Sequence, residues 1–277
     1  MAAAFLAMNA VFGRFFDVSP AEAWEAAAAT ERQPQSQFVF DVQTHHVAAP
    51  RQLTSVLRFR EMARRWNADI GATRDMAEVY PENYIKEVFL DSDTAVAVIS
   101  GIPSATDEQN ILPPDKMRPA TRVDWVTDLC EIRTRNPKLT NIYAELGSTF
   151  GLSVITSPLL CGRILGMLIQ ALGADHVLWG TDSIWWGSPR WQIEALRRFQ
   201  MPEVLMQRMG YAPLTDEVKA RIFGLNAAGL FGVDPAAVLN PVPADFVSRM
   251  KAAYLEEGPA PEPHAVRLGA RPLVTSS

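Results

Sequence analysis

The residues able to do chemistry lie in three short stretches. Gln43, His45 and His46 end the run "FVFDVQTHHV" (38–47); Glu145 lies in "NIYAELGS" (141–148); Asp182, Trp185 and Trp186 lie in "HVLWGTDSIWW" (176–186). An imidazole and a carboxylate brought together can hold a divalent cation or pass a proton. A glutamine amide oxygen is a poorer donor to zinc than imidazole. Strand alternation sends Gln43 and His45 to one side of the chain and Thr44 and His46 to the other. His45 is therefore the candidate for a functional rim, Gln43 is its neighbour, and His46 is a hydrogen-bonding or loop residue. Trp185 and Trp186 lie three and four positions after Asp182 and either wall an apolar or aromatic substrate or pack the next helix. His176 begins its strand and so faces the end opposite Asp182.

These groups need a frame, and from residue 37 the pattern alternates strands with helices. Strands are expected at 38–43, 94–100, 141–147 and 176–181. The run "TAVAVIS" (94–100) is continuous and β-branched, as suits a strand buried on both faces. Helical spacing marks 51–67, the segment opening at Pro81, and "RVDWVTDLCEIRTRNP", which stops before Pro137. "SPLLCGRILGMLIQALG" ends at Gly173, and 215–232 opens on Thr215 and closes on Gly232. Strands separated by helices imply βαβ units and a parallel sheet. In such sheets function gathers at the strand ends. Three parts follow: an apolar segment and linker (1–36), an α/β domain (37–257) and a Pro-rich tail from Gly258.

The net charge of −5 and pI near 5.5, without a basic run, argue against nucleic acid as a partner. Cys130 and Cys161 lie in apolar-periodic segments without metal spacing and read as buried thiols. "MAAAFLAMNAVFG" is too short to span a bilayer. With Ala21-Glu22-Ala23 and a Gln/Ser/Pro-rich stretch after it, it has the order of a secretory signal, but no Lys or Arg precedes Arg14. It reads as a signal remnant or as an ordinary N-terminal helix, and the chain is expected to stay in the cytoplasm.

These stretches resemble the amidohydrolase superfamily, in the amidohydrolase-related branch of metal-dependent hydrolases and decarboxylases. "FDVQTHHV" is similar to that branch's first strand, Asp-x-His-x-His, whose two histidines bind a divalent metal inside a TIM-barrel-like (βα)8 fold. "NIYAELGS" is similar to the strand before last. "HVLWGTDS" is similar to the final strand, whose Asp binds metal and serves as general base. "IFGLNAAGLFGVD" is similar to the closing helix, with Asn226 and Ala227 as its Asn-Ala pair. The apolar N-terminus is similar to that of exported members, without their arginine pair.

The resemblance implies a divalent metal, zinc by expectation, held by His45 and Asp182, with Gln43 standing where the first histidine belongs. Glu145, His46, Trp185 and Trp186 are the residues expected around a small-molecule substrate at that site. A metal-bound water deprotonated by Asp182 would attack an ester, lactone or amide, or the metal would hold a substrate for decarboxylation. A complete barrel needs eight strands. Between the second and third strands here the chain holds no histidine and one clear helix, so two pieces of the family look joined near Met117 and Arg118. The expected fold is an incomplete barrel, its edges covered by helices or by self-association into a homo-oligomer. Two functions stay open: a metal-dependent hydrolase or decarboxylase, or a non-catalytic remnant or scaffold.

Overall fold

The computed structural model describes residues 1–25, 37–47, 54–64, 67, 70, 75–100, 123–239 and 246–257. The expected junction at Met117–Arg118, the stretch 26–36 and the tail from Gly258 lie outside the described residues.

Four strands carry the fold: β1 (Val39–Thr44), β2 (Thr94–Ile99), β3 (Ala144–Glu145) and β4 (Val177–Leu178). β1 pairs with β2 and β3 with β4, both parallel. Backbone bonds join the two pairs: Val42 N–H to Trp179 O at 3.0 Å, Asp182 N–H to Gln43 O at 3.0 Å, and a parallel bridge between Thr44 and Ser183. The ladder therefore runs β2-β1-β4-β3. It does not close into a barrel among the described residues, and β2 and β3 form its edges. At the free end of β2, Ile99 is 56% exposed.

The helices follow in chain order: α1 (Ala2–Phe12), α2 (Pro20–Glu25), α3 (Thr54–Ala63), α4 (Pro81–Ile85), α5 (Val123–Arg135), α6 (Gly147–Thr156), α7 (Pro158–Leu172), α8 (Arg190–Arg198), α9 (Glu203–Met209), α10 (Asp216–Ala220), α11 (Asn226–Phe231), α12 (Pro235–Leu239) and α13 (Phe246–Glu257). Their stops obey local chemistry. Ser157 caps α7 by accepting from Leu160 N–H, and Gly173 ends it at φ 98°. Thr215 caps α10 by accepting from Val218 N–H, and Gly232 ends α11 at φ 68°. A π-helical turn (Arg221–Leu225) joins α10 to α11.

The third strand is shorter than the expected 141–147. The chain turns at Gly147, where φ is +36°, and enters α6. Little in "GSTFGLSVIT" favours a helix locally; burial of Phe150 and Val154 in the main core overrides propensity.

Core packing also redraws the N-terminal boundary expected at 36. Phe5 and Phe16 stack at 4.8 Å, and Phe16 meets Phe199 of the main body edge-on at 5.7 Å. Asn9 Oδ1 accepts from Phe15 and Phe16 N–H, and Asn9 Nδ2 donates to Phe16 O. Phe5, Phe15 and Phe16 are buried, so the start of the chain is part of the domain's core. No helix among the described residues is long and apolar enough to cross a membrane.

A second, smaller cluster lies on the sheet, where Phe38, Phe40 and Leu178 pack against Ala227 and Ala228 of α11. Val233 and Val238 extend it over Val42, Ala95, Val96 and Val98. Helices α11 and α12 and the residues beside them thus cover apolar surface of the β1-β2 sheet.

Candidate functional site

Asp182 follows β4 in a left-handed backbone conformation, φ 56°, which Asp tolerates better than most residues. This turn brings its carboxylate to the end of β1. Asp182 Oδ1 lies 3.2 Å from His45 Nε2, across 137 positions of sequence. His45 Nδ1 donates to Ser100 O at 3.0 Å, since a carbonyl can only accept. Each ring nitrogen therefore faces an oxygen, and a proton or a cation between Nε2 and Asp182 would satisfy both groups. Trp185 stacks on the His45 ring, centroids 5.2 Å apart and planes 7° off parallel.

The second Asp182 oxygen is also committed. Oδ2 accepts from Ser148 N–H at 2.9 Å and from the Ser148 hydroxyl. That hydroxyl in turn accepts from Trp186 Nε1–H at 2.8 Å. Burial by itself would raise the Asp182 carboxyl, but the bonds from His45 and Ser148 outweigh it and hold the group below the usual carboxylate range.

Two further carboxyls go the other way. Asp41, fully buried on β1, is pushed up to about 7 by burial, against bonds from Thr181 and the Gln43 N–H. Glu145 is raised to about 8, first by burial of its carboxyl and then by the Asp182 and Asp41 charges. The residue keeps solvent contact, while its carboxyl lies over Gly180 and beside Gly147. Gly147 takes φ +36°, where an L side chain is strained, and both glycines leave room for these polar groups. A Cβ on Gly180 would run into that carboxyl, and one on Gly147 would come within 2.7 Å of Gln43 Oε1. An ionised Asp182 near a protonated Glu145 is the pairing that base and acid catalysis call for.

The expected site residues are thus sorted. His45, Asp182 and Trp185 come together directly. Gln43 and Glu145 converge on Gly147. Trp186, 3% exposed, braces Ser148 and does not offer a substrate wall. His46 is not brought into the cluster; its ring meets Tyr84 at 5.5 Å, on the side to which Thr44 also points. His176 bonds Thr140 O at 3.0 Å and stacks on Tyr143, away from Asp182.

Ser148 and Asp41 were missing from the expected set. Asp41 had a signal, a lone carboxylate inside an apolar strand. Ser148 had none, because its role depends on the turn at Gly147. Arg60 lies in α3, inside the helix expected at 51–67. It is 2% exposed, bonding Glu78, Glu87 and the Ile184 carbonyl, and so holds the 183–187 turn that carries both tryptophans.

His45 Nε2 and Asp182 Oδ1 are spaced as adjoining ligands of one cation would be. Asp182 Oδ2 is taken by Ser148, and Gln43 Oε1 lies against Gly147. Among the described residues no group of three or more His, Cys, Asp or Glu side chains can hold a metal ion. A closed zinc site needs at least three protein ligands. The donor set of the described residues does not fit one.

Residues 127–233 match the family model described as Amidohydrolase, a stretch shorter than half the chain. No curated protein and no solved structure matches. The matched stretch contains Glu145, Ser148, Asp182 and the closing helix, where Asn226 Nδ2 donates to Ala174 O and Val177 O, both at 2.8 Å. Those bonds give the Asn-Ala pair its physical role: Asn226 ties the helix to the foot of β4, and Ala227 fits under Phe38 and Phe40.

Proposed function

We propose, because residues 127–233 carry amidohydrolase sequence, that this chain is an amidohydrolase-type hydrolase acting on an ester, lactone or amide of a small molecule. The observation that carries this reading is the His45–Asp182 pair at 3.2 Å, assembled from strand ends far apart in sequence. Asp182, held ionised, takes the proton of an attacking water, and His45 fixes the carboxylate from one side. Glu145, raised into the neutral range, supplies a proton to the leaving group. Trp185 stacks on His45 and keeps its ring from rotating.

The family generally uses a divalent metal, and zinc was the expectation here. Among the described residues two donors stand where three or more are needed, and every step above uses this chain's own side chains. That shortage favours a second reading, a scaffold or remnant without turnover. Hydrolysis of simple aryl esters and lactones by the purified chain, beside Asp182→Asn, separates the two. Turnover abolished by Asp182→Asn supports the hydrolase; equal rates for both proteins would leave the scaffold reading standing.

A further inference from the structure

In the family pattern a metal ion holds the final-strand aspartate in place. Here the same carboxylate is held on both oxygens by protein groups. His45 Nε2 faces Oδ1, while Oδ2 receives two donors from one residue, Ser148 N–H and Ser148 Oγ–H. The hydroxyl can aim its proton at Asp182 because the Trp186 indole N–H occupies its acceptor side. Trp186 is itself clamped, since its carbonyl accepts from Asn67 Nδ2 at 3.2 Å and from Trp191 Nε1 at 3.4 Å. A chain of donors thus runs from a packed indole through a serine to the carboxylate. Polar groups satisfied in this way stiffen a site.

We propose that Ser148 is the positioning residue of this site, holding Asp182 in the place of a metal ion, so that the His45–Asp182–Ser148 centre is complete in metal-free protein. The inference rests on the reading of His45 and Asp182 as the functional pair, but its test needs no turnover. If Ser148 served instead as an outer support of a metal site, its removal would weaken zinc binding by about 10–100-fold.

The experiment uses full-length protein stripped with EDTA and labelled with 15N. The Trp186 indole resonance is assigned by its loss in Trp186→Phe, and the Ser148 amide by its loss in Ser148→Ala. In stripped wild type both are expected at downfield, hydrogen-bonded positions, and neither should move when one equivalent of zinc is added. Ser148→Ala should shift the Trp186 indole upfield, and Ser148→Thr, which keeps the hydroxyl, should restore it. Asp182→Ala should return the Ser148 amide to an ordinary position, a readout that holds even if Ser148→Ala does not fold. Two results would overturn the proposal. One is stoichiometric zinc binding that shifts both resonances and weakens in Ser148→Ala. The other is a Ser148 amide unmoved by Asp182→Ala. Absent hydrolysis alongside the expected resonances would count against the proposed function and leave the role of Ser148 intact.

Discussion

Replacing Arg60 by Met tests whether the turn beside Asp182 is held by a buried charge cluster. The Arg60 guanidinium donates from Nε to Glu78 at 2.9 Å, from Nη2 to Glu87 at 2.6 Å, and from Nη1 to Glu87 at 2.9 Å and to Ile184 O at 2.8 Å. Arg60 is 2% exposed, and both glutamates are 7% exposed. Methionine fills much of the volume but removes the cation from two buried carboxylates. Breaking a buried pair on one side costs about 3–5 kcal/mol. For a chain of this size that lowers Tm by roughly 6–20 °C. Urea unfolding at neutral pH, followed by tryptophan fluorescence, measures the loss directly. Adding Glu87→Gln to Arg60→Met should recover part of it, because one stranded charge is then gone. A loss of under about 1 kcal/mol, the range of an exposed ion pair, would refute the argument. So would a double variant no better than the single one.

Asp41 and Glu145 both bind protons more tightly in the fold than unfolded, so the native chain holds protons that the unfolded chain has released. Stability contributed by them is present below the ordinary carboxylate range and falls as pH rises to about 7 for Asp41 and about 8 for Glu145. Asp41→Asn with Glu145→Gln should flatten that fall in denaturant titrations at pH 5 and pH 8; an unchanged slope would contradict the burial argument. Gly166→Ala should destabilise by about 1–3 kcal/mol despite alanine's better helix propensity, because its Cβ collides with the Tyr211 ring. A neutral or stabilising result in thermal melts would show that α7 and Tyr211 can part freely. Phe16→Ala should cost about 3–5 kcal/mol, since Phe16 joins the N-terminal segment to Phe199. Because Phe5, Phe15 and Phe16 lie in the core, the intact mass of protein recovered from cells should still include residues 1–23; efficient processing after Ala23 would contradict this.

Much of the frame was legible in the sequence, because periodicity and stop signals are local. β1 reads directly from alternating Val and Phe, and the closing helix from Thr215 and Gly232. The side on which His45 lies, apart from Thr44 and His46, follows from strand geometry alone. That Gln43 stands on β1 and that no histidine lies between β2 and β3 is plain in the sequence too. Other features depend on contacts between distant residues. Gly147 turning the chain out of β3, and α6 forming from an unpromising sequence, depend on burial of Phe150 and Val154. The burial of Arg60 depends on Glu78, Glu87 and the Ile184 carbonyl closing around it. Ser148 carried no signal, because a serine becomes a carboxylate's anchor only when folding places its N–H and O–H together on Asp182. Sequence sets which groups are available and how each segment prefers to run; the tertiary fold sets which groups meet, since hydrogen bonds and desolvation act through space between residues far apart in the chain.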